Sequence, residues 1–295
     1  MWYTINEGEV TMEFEITNDI KLIREMLNIT QDELANKIGV ERRTILLVEN
    51  GNTKLSSGNC NKLYDYAFEK NIHINQIKAM LYKEEVYGDN VLLFHASKNG
   101  ITGNLSPYAG RKNNDFGYGF YCGESYEQPI SLVSQFEKPI MYILSFDKSN
   151  LKSLKFEVDR DWMLAIAYFR GTLNQFADHK LIKSIISKLK DVDYIVAPIA
   201  DNRMFKIIDT FIKAEITDEQ CKHCLAATNL GYQYVLLTEK ATSQVKILEK
   251  CFVCDKEREF YKAQKENDLK MSDEKVKMAR IKYRGVGQYI DEILV

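Results

Sequence analysis

The chain has 295 residues, 45% of them hydrophobic and 28% charged, and its 40 basic and 42 acidic side chains leave a formal net charge of −2. That length accommodates two domains, each with its own core. The near-even charge balance excludes a globally polyanion-binding protein, so any nucleic-acid contact must be local. There is no apolar run long enough to span a bilayer and no basic start followed by an apolar segment, which predicts a soluble, cytoplasmic protein without a membrane partner.

Residues 1–17 form a first segment in which Val10, Met12, Phe14 and Ile16 alternate with polar residues. That period of two predicts a strand or an extended arm. Residues 18–88 read as an all-α domain. Leu22, Ile23, Met26 and Leu27 mark an amphipathic helix, and Thr30 caps a second helix over 31–38 with Glu33 in the capping-box position. Gly39 turns the chain into a third helix over 40–49 that ends at Asn50-Gly51. Two more helices are predicted around 62–70 and 74–84.

The run Thr-Gln-x-Glu-Leu-Ala-x-x-Ile-Gly-Val from Thr30, followed by Thr-Ile-x-x-x-Glu-Asn-Gly from Thr44, resembles the phage-repressor-like (Xre-type) helix-turn-helix. The resemblance implies that the second helix of the motif enters the major groove. It also implies that Gln31, Arg42, Arg43 and Thr44 face DNA. The sequence departs from the pattern at two places. Glu41 stands where a small hydroxyl residue usually opens the recognition helix, and Leu46-Leu47 replaces a polar pair. The leucines suit a protein contact, so docking or dimerisation stands beside DNA binding as a role for this domain.

Tyr87 to Asn90 is a turn and the expected domain boundary. The next domain, 89–254, opens with an apolar strand ending at His95, Ala96 and Ser97. It continues to Asp115-Phe116-Gly117-Tyr118-Gly119-Phe120-Tyr121-Cys122-Gly123-Glu124-Ser125, in which glycines alternate with aromatics. Glycines permit sharp turns and close approach of a ligand, and aromatics offer faces for stacking. A helix over 125–136 tolerates Pro129 in its first turn. Strands at 139–146, 194–199, 231–237 and 244–252 are interspersed with helices at 159–169, 180–190 and 217–228. Asp201-Asn202-Arg203 lies where a strand gives way to a helix, a position suited to gripping phosphate or ribose and equally suited to plain capping. Residues 255–295 form a charged helical extension, read as a solvated helix or lid.

The His95 strand, the Phe116–Tyr121 segment and the strand carrying Gln233 together resemble the three core motifs of the ADP-ribosyltransferase fold. The branch concerned is that of poly(ADP-ribose) polymerases and diphtheria-type toxins, with its His, Tyr and Glu triad. Within it, the Asp-Phe-Gly-x-Gly-Phe-Tyr wording is similar to a bacterial subfamily often fused to a helix-turn-helix. The resemblance implies an α+β protein in which an all-α domain precedes an ADP-ribosyltransferase-like split β-sheet domain. It implies NAD as substrate, with His95, Tyr121 and Gln233 as catalytic residues, Gln233 replacing the usual glutamate. NAD would be held by His95, Ala96, Ser97, Arg111, Asp115, Phe116, Gly117, Gly119, Tyr121, Ser125, Asp201 and Arg203. The expected activity is mono-ADP-ribosyl transfer to a macromolecular acceptor by the toxin of a toxin–antitoxin or phage-defence system, restrained by an antitoxin or regulatory partner. The alternative is a transcription regulator with a catalytically weak, nucleotide-sensing domain.

Six cysteines fit a reducing compartment. Cys221/Cys224, with His223 between them, and Cys251/Cys254 are CxxC pairs of the kind zinc favours. The 26 residues between the pairs include a predicted strand, and buried thiols fit that spacing better, so no metal site is assigned.

Overall fold

The computed structural model describes residues 5–6, 9–10, 14, 16–228 and 231–295. Two short strands, β1 (Ile5–Asn6) and β2 (Glu9–Val10), pair antiparallel. Met12 lies outside the described residues. Val10 of the predicted alternation lies in β2, whereas Ile16 opens helix α1 (Ile16–Leu27). Ile16, Ile20, Ile23 and Leu27 recur at helical spacing, and that pattern wins over the alternation.

Four helices follow as expected: α2 (Gln31–Ile38), α3 (Arg42–Glu49), α4 (Ser57–Glu69) and α5 (Ile74–Glu85). The capping box at α2 is complete. The Thr30 hydroxyl accepts from the Glu33 amide at 3.2 Å, and the Glu33 carboxylate accepts from the Thr30 amide at 2.7 Å. Gly39 ends α2 at φ 71°, in the left-handed region that favours glycine.

The remaining elements are β3 (Asn90–Ser97), β4 (Phe120–Gly123), α6 (Glu127–Val133), β5 (Ile140–Asp147), β6 (Ser153–Lys155), α7 (Arg160–Phe169), α8 (Lys180–Ser187) and β7 (Tyr194–Pro198). After them come α9 (Asn202–Ile212), α10 (Asp218–Ala226), β8 (Tyr232–Leu236), α11 (Glu239–Ser243), β9 (Val245–Phe252), α12 (Asp255–Lys282) and α13 (Ile290–Ile293). The protein is therefore α+β, a helical N-terminal region followed by mixed sheet and helix.

Two compact units cut across the segments 18–88, 89–254 and 255–295. The first comprises Met1–Asn104, Ser125–Phe146 and Lys246–Gln264. Its helical core gathers Ile20, Ile23, Leu34, Ile38, Ile45, Val48 and Leu63, and its strands lie in the order β3-β5-β9. Buried polar groups tie the helices to the rest of this unit. Lys78 on α5 bonds Asp19 on α1 at 2.7 Å and Glu249 on β9 at 3.2 Å, while the Tyr64 hydroxyl donates to Asp19. Glu257 on α12 accepts from the Tyr126 hydroxyl at 2.8 Å and from the Asn75 amide at 3.0 Å. The helix-turn-helix segment is thus bonded into a sheet strand and the start of a distant helix.

The second unit comprises Leu105–Glu124, Asp147–Val245 and Lys265–Val295. Its strands lie in the order β6-β7-β8-β4, with β6 parallel to β7 and the other pairs antiparallel. Trp162, Ile166, Ile195, Ile208, Phe211 and Val235 fill its core, which Ile290 and Leu294 of the C-terminal segment complete. The later part of α12 is packed here and is not a free lid. The Val276 carbonyl accepts from the Cys224 thiol, and the Tyr283 ring stacks on His223 at 3.5 Å. All six cysteines are buried free thiols. Among the described residues no helix is long and apolar enough to cross a membrane.

Candidate functional site

The first candidate surface is on the helix-turn-helix. Ile45 and Val48 hold one face of α3 in the core, and this turns Arg42 and Arg43 outward, both exposed, with Thr44 half-buried. Glu41 takes the N-cap backbone conformation but its side chain makes no cap hydrogen bond, so no carboxylate closes off the first turn. Gln31 has a partner inside the motif: its amide donates to Glu49 at 2.7 Å, and Arg24 bonds the other oxygen of the same carboxylate at 2.8 Å. This Arg24–Glu49–Gln31 clamp fixes α1, α2 and α3 relative to one another. Leu46 is exposed and Leu47 half-buried, which leaves the apolar contact expected of this pair sterically open.

The second candidate is the glycine-aromatic loop. Its centre is Asp115, buried beneath Phe116-Gly117. Arg170, the residue that ends α7, donates to one Asp115 oxygen from Nε at 3.0 Å and from Nη2 at 2.6 Å, and also to the Ala200 carbonyl. The other Asp115 oxygen accepts from the Ala200 amide at 3.2 Å and from Gln233 Nε2 at 2.8 Å. Gln233 donates in addition to the Pro198 carbonyl at 3.2 Å. The Arg170 guanidinium lies 4.7 Å from the centre of the Phe205 ring. Every charge in this cluster is paired and hydrogen-bonded, as burial requires.

Tyr121 closes the same loop. Its hydroxyl accepts from the Phe116 amide at 3.0 Å and donates to the Gly117 carbonyl at 2.9 Å. Burial pushes the phenol pKa well above its ordinary value. The glycines serve the protein's own packing. A Cβ on Gly117, whose φ is +75°, would meet the Phe169 ring at 3.1 Å, and one on Gly119 would meet Val235 Cγ1 at 2.6 Å. Phe169 and Val235 therefore pack on the side of each glycine where a Cβ would project. Phe116 is likewise a core residue, stacked on Phe156 with centroids 5.4 Å apart.

The structure joins Asp115, Phe116, Gly117, Gly119, Tyr121 and Gln233 in this one cluster, with Gln233 opposite Gly123 on paired strands. The other residues expected to bind NAD have local partners of their own. Asp201 caps α9 by accepting from the Arg203 and Met204 amides at 2.9 and 2.8 Å, so the plain capping role is the one observed. Arg203 turns toward α12, where it bonds the Leu269 carbonyl and lies 3.7 Å from Asp273. Arg111 is exposed. His95, Ala96, Ser97 and Ser125 belong to the first unit. There the His95 ring faces Tyr142 at 6.3 Å, Ser97 bonds the Gly100 carbonyl at 3.0 Å, and the Ser125 amide donates to Gln128 at 3.1 Å. Ala96 packs against the apolar cluster around Phe94 and Ile143.

Arg170 and Glu49 are the bonding partners of candidate residues that sequence reasoning missed. An acid wedged between Asn114 and Phe116 in an apolar loop calls for a buried cation, but nothing local to Phe169-Arg170-Gly171 singles out that cation. Residues 91–247, more than half of the chain, match the model of a family described as a protein of unknown function (DUF3990). Residues 20–64 match a helix-turn-helix family. Comparison with curated proteins gives no match, and comparison with solved structures gives none.

Proposed function

The chain belongs to the DUF3990 family and carries a helix-turn-helix ahead of that domain, and from this we propose that it is a DNA-binding regulator whose DUF3990 domain senses a nucleotide of the NAD type with little transfer chemistry. The observation that carries the regulatory reading is the outward display of Arg42 and Arg43 from a motif locked by the Arg24–Glu49–Gln31 clamp. Cations at the start of such a helix are suited to phosphate and base-edge contacts. Weak chemistry follows from Gln233. It has no charge to offset an oxocarbenium-like state, and its amide nitrogen is committed to Asp115 and the Pro198 carbonyl. The residues of the glycine-aromatic loop bond one another, so no catalytic step is assigned to them.

The test is titration of the full chain against the duplex upstream of its own coding sequence at several salt concentrations, with and without NAD. Steep salt dependence, weaker binding for Arg42→Ala and Arg43→Ala, and an affinity shift with NAD are the expected outcomes. Binding that ignores salt and both substitutions would refute the DNA-binding role and favour a protein contact through Leu46 and Leu47.

A second reading, mono-ADP-ribosyl transfer by a toxin that a partner protein restrains, is favoured by one observation. Tyr121 and Gln233 lie on adjacent paired strands, with Tyr121 opposite Val235 and Gly123 opposite Gln233. Incubation with NAD and cell lysate separates the two readings. Nicotinamide release that disappears in Gln233→Ala supports transfer, whereas no release leaves the regulator.

A further inference from the structure

The segment before the glycine-aromatic loop displays two large aromatic rings to solvent. Tyr108 and Tyr118 are 61% and 44% exposed, with ring centroids 6.1 Å apart in an edge-on arrangement. Their backbones are held in place. Pro107 is buried, and the Ser106 hydroxyl accepts from the Tyr108 amide at 3.2 Å. Gly110 packs against the Gly119 carbonyl, where an added Cβ would lie 3.2 Å away. Between the tyrosines, Arg111, Lys112 and Asn113 are all exposed. The Asn114 amide fixes this turn by donating to the Arg111 carbonyl at 3.0 Å. The one acid of the segment 105–119, Asp115, is turned inward onto Arg170, so the outward charge is that of Arg111 and Lys112 alone.

Exposed aromatic rings on an anchored backbone, beside exposed cations, are the two components of a platform for unpaired bases: the rings stack on base faces and the cations hold the phosphates between them. A duplex keeps its base faces covered and could use only the cations. We propose that the Tyr108–Tyr118 loop is a binding site for single-stranded DNA, separate from the duplex-binding surface on α3. The choice of DNA over RNA rests on the regulatory reading, since a helix-turn-helix brings the chain to DNA.

The experiment uses the full chain carrying Arg42→Ala and Arg43→Ala, so that the outcome does not depend on the helix-turn-helix. Its affinity for a fluorescein-labelled, mixed-sequence single-stranded DNA of twenty nucleotides is read by anisotropy between 50 and 200 mM salt. Binding is expected to persist in this background. Tyr108→Ser and Tyr118→Ser should each weaken it at least about fivefold, whereas Tyr108→Phe and Tyr118→Phe should keep it, because the stacking face survives. Arg111→Gln combined with Lys112→Gln should lower the slope of log affinity against log salt by about 1.4, the value for two phosphate contacts on a single strand. All four side chains are exposed, so melting temperatures should match the parent. The proposal is overturned by no binding, by binding that both serine variants leave intact, or by tighter binding of an RNA of the same sequence.

Discussion

Glu257 is a carboxylate buried at the start of α12 and, among the described residues, no cation is bonded directly to it. It accepts hydrogen bonds from Tyr126 and Asn75, and Lys78 acts on it only through space. Burial outweighs these and raises its pKa from 4.5 to about 7. Because the folded pKa is raised, the folded state binds the proton more tightly than the unfolded chain. The resulting stabilisation is complete below pH 4.5 and is lost as pH rises through about 7. A shift of that size, at 1.36 kcal/mol per pH unit, corresponds to roughly 3 kcal/mol between the two ends of the window. Glu257→Gln keeps the volume and an oxygen for the Tyr126 hydroxyl but is neutral at every pH. The variant should match the parent near pH 5 and exceed it by about 1–3 kcal/mol at pH 8. Urea unfolding followed by circular dichroism at pH 5, 6.5 and 8 measures the difference. A parent–variant difference that does not change with pH, or a variant less stable at pH 8, would refute the assignment.

Gln233→Glu places a second carboxylate where the amide now donates to Asp115 at 2.8 Å. It should lower the melting temperature at pH 8 much more than at pH 4, as measured by calorimetry, because like charges so close cannot both remain ionised. Gly119→Ala drives a methyl group into Val235 and should cost about 1–3 kcal/mol in denaturant unfolding, with an equal loss of soluble yield an acceptable surrogate. Thr30→Ala removes the α2 cap and should cost about 1 kcal/mol, while Thr30→Ser should be nearly neutral in the same assay.

Local chemistry was legible from residues that act on their own neighbours. Thr30 and Glu33 declared a capping box, Gly39 a left-handed turn, and short apolar runs the strands around Val196 and Val235. Each rests on interactions within a few residues, so the sequence contains all the partners. The helix-turn-helix and the α+β character follow from such signals. At Ile16 the alternation was carried one step too far for the same reason, since two periodicities overlap there and local pattern alone does not rank them.

Long-range partners were decided by the tertiary structure. Asp115 looked like part of a ligand loop, but its fate depends on Arg170 and Ala200, 55 and 85 residues further on. Gly117 and Gly119 announced close approach without saying of what, and the answer is Phe169 and Val235. Arg203 could have held a phosphate until the chain brought Asp273 beside it. The sequence by itself determined which residues needed a turn, a cap or a counter-charge, because backbone geometry and desolvation impose those demands wherever a residue sits. Which atoms met the demands was fixed only when folding brought distant segments within hydrogen-bonding distance, since pairing across 50 or more residues leaves no periodic trace along the chain.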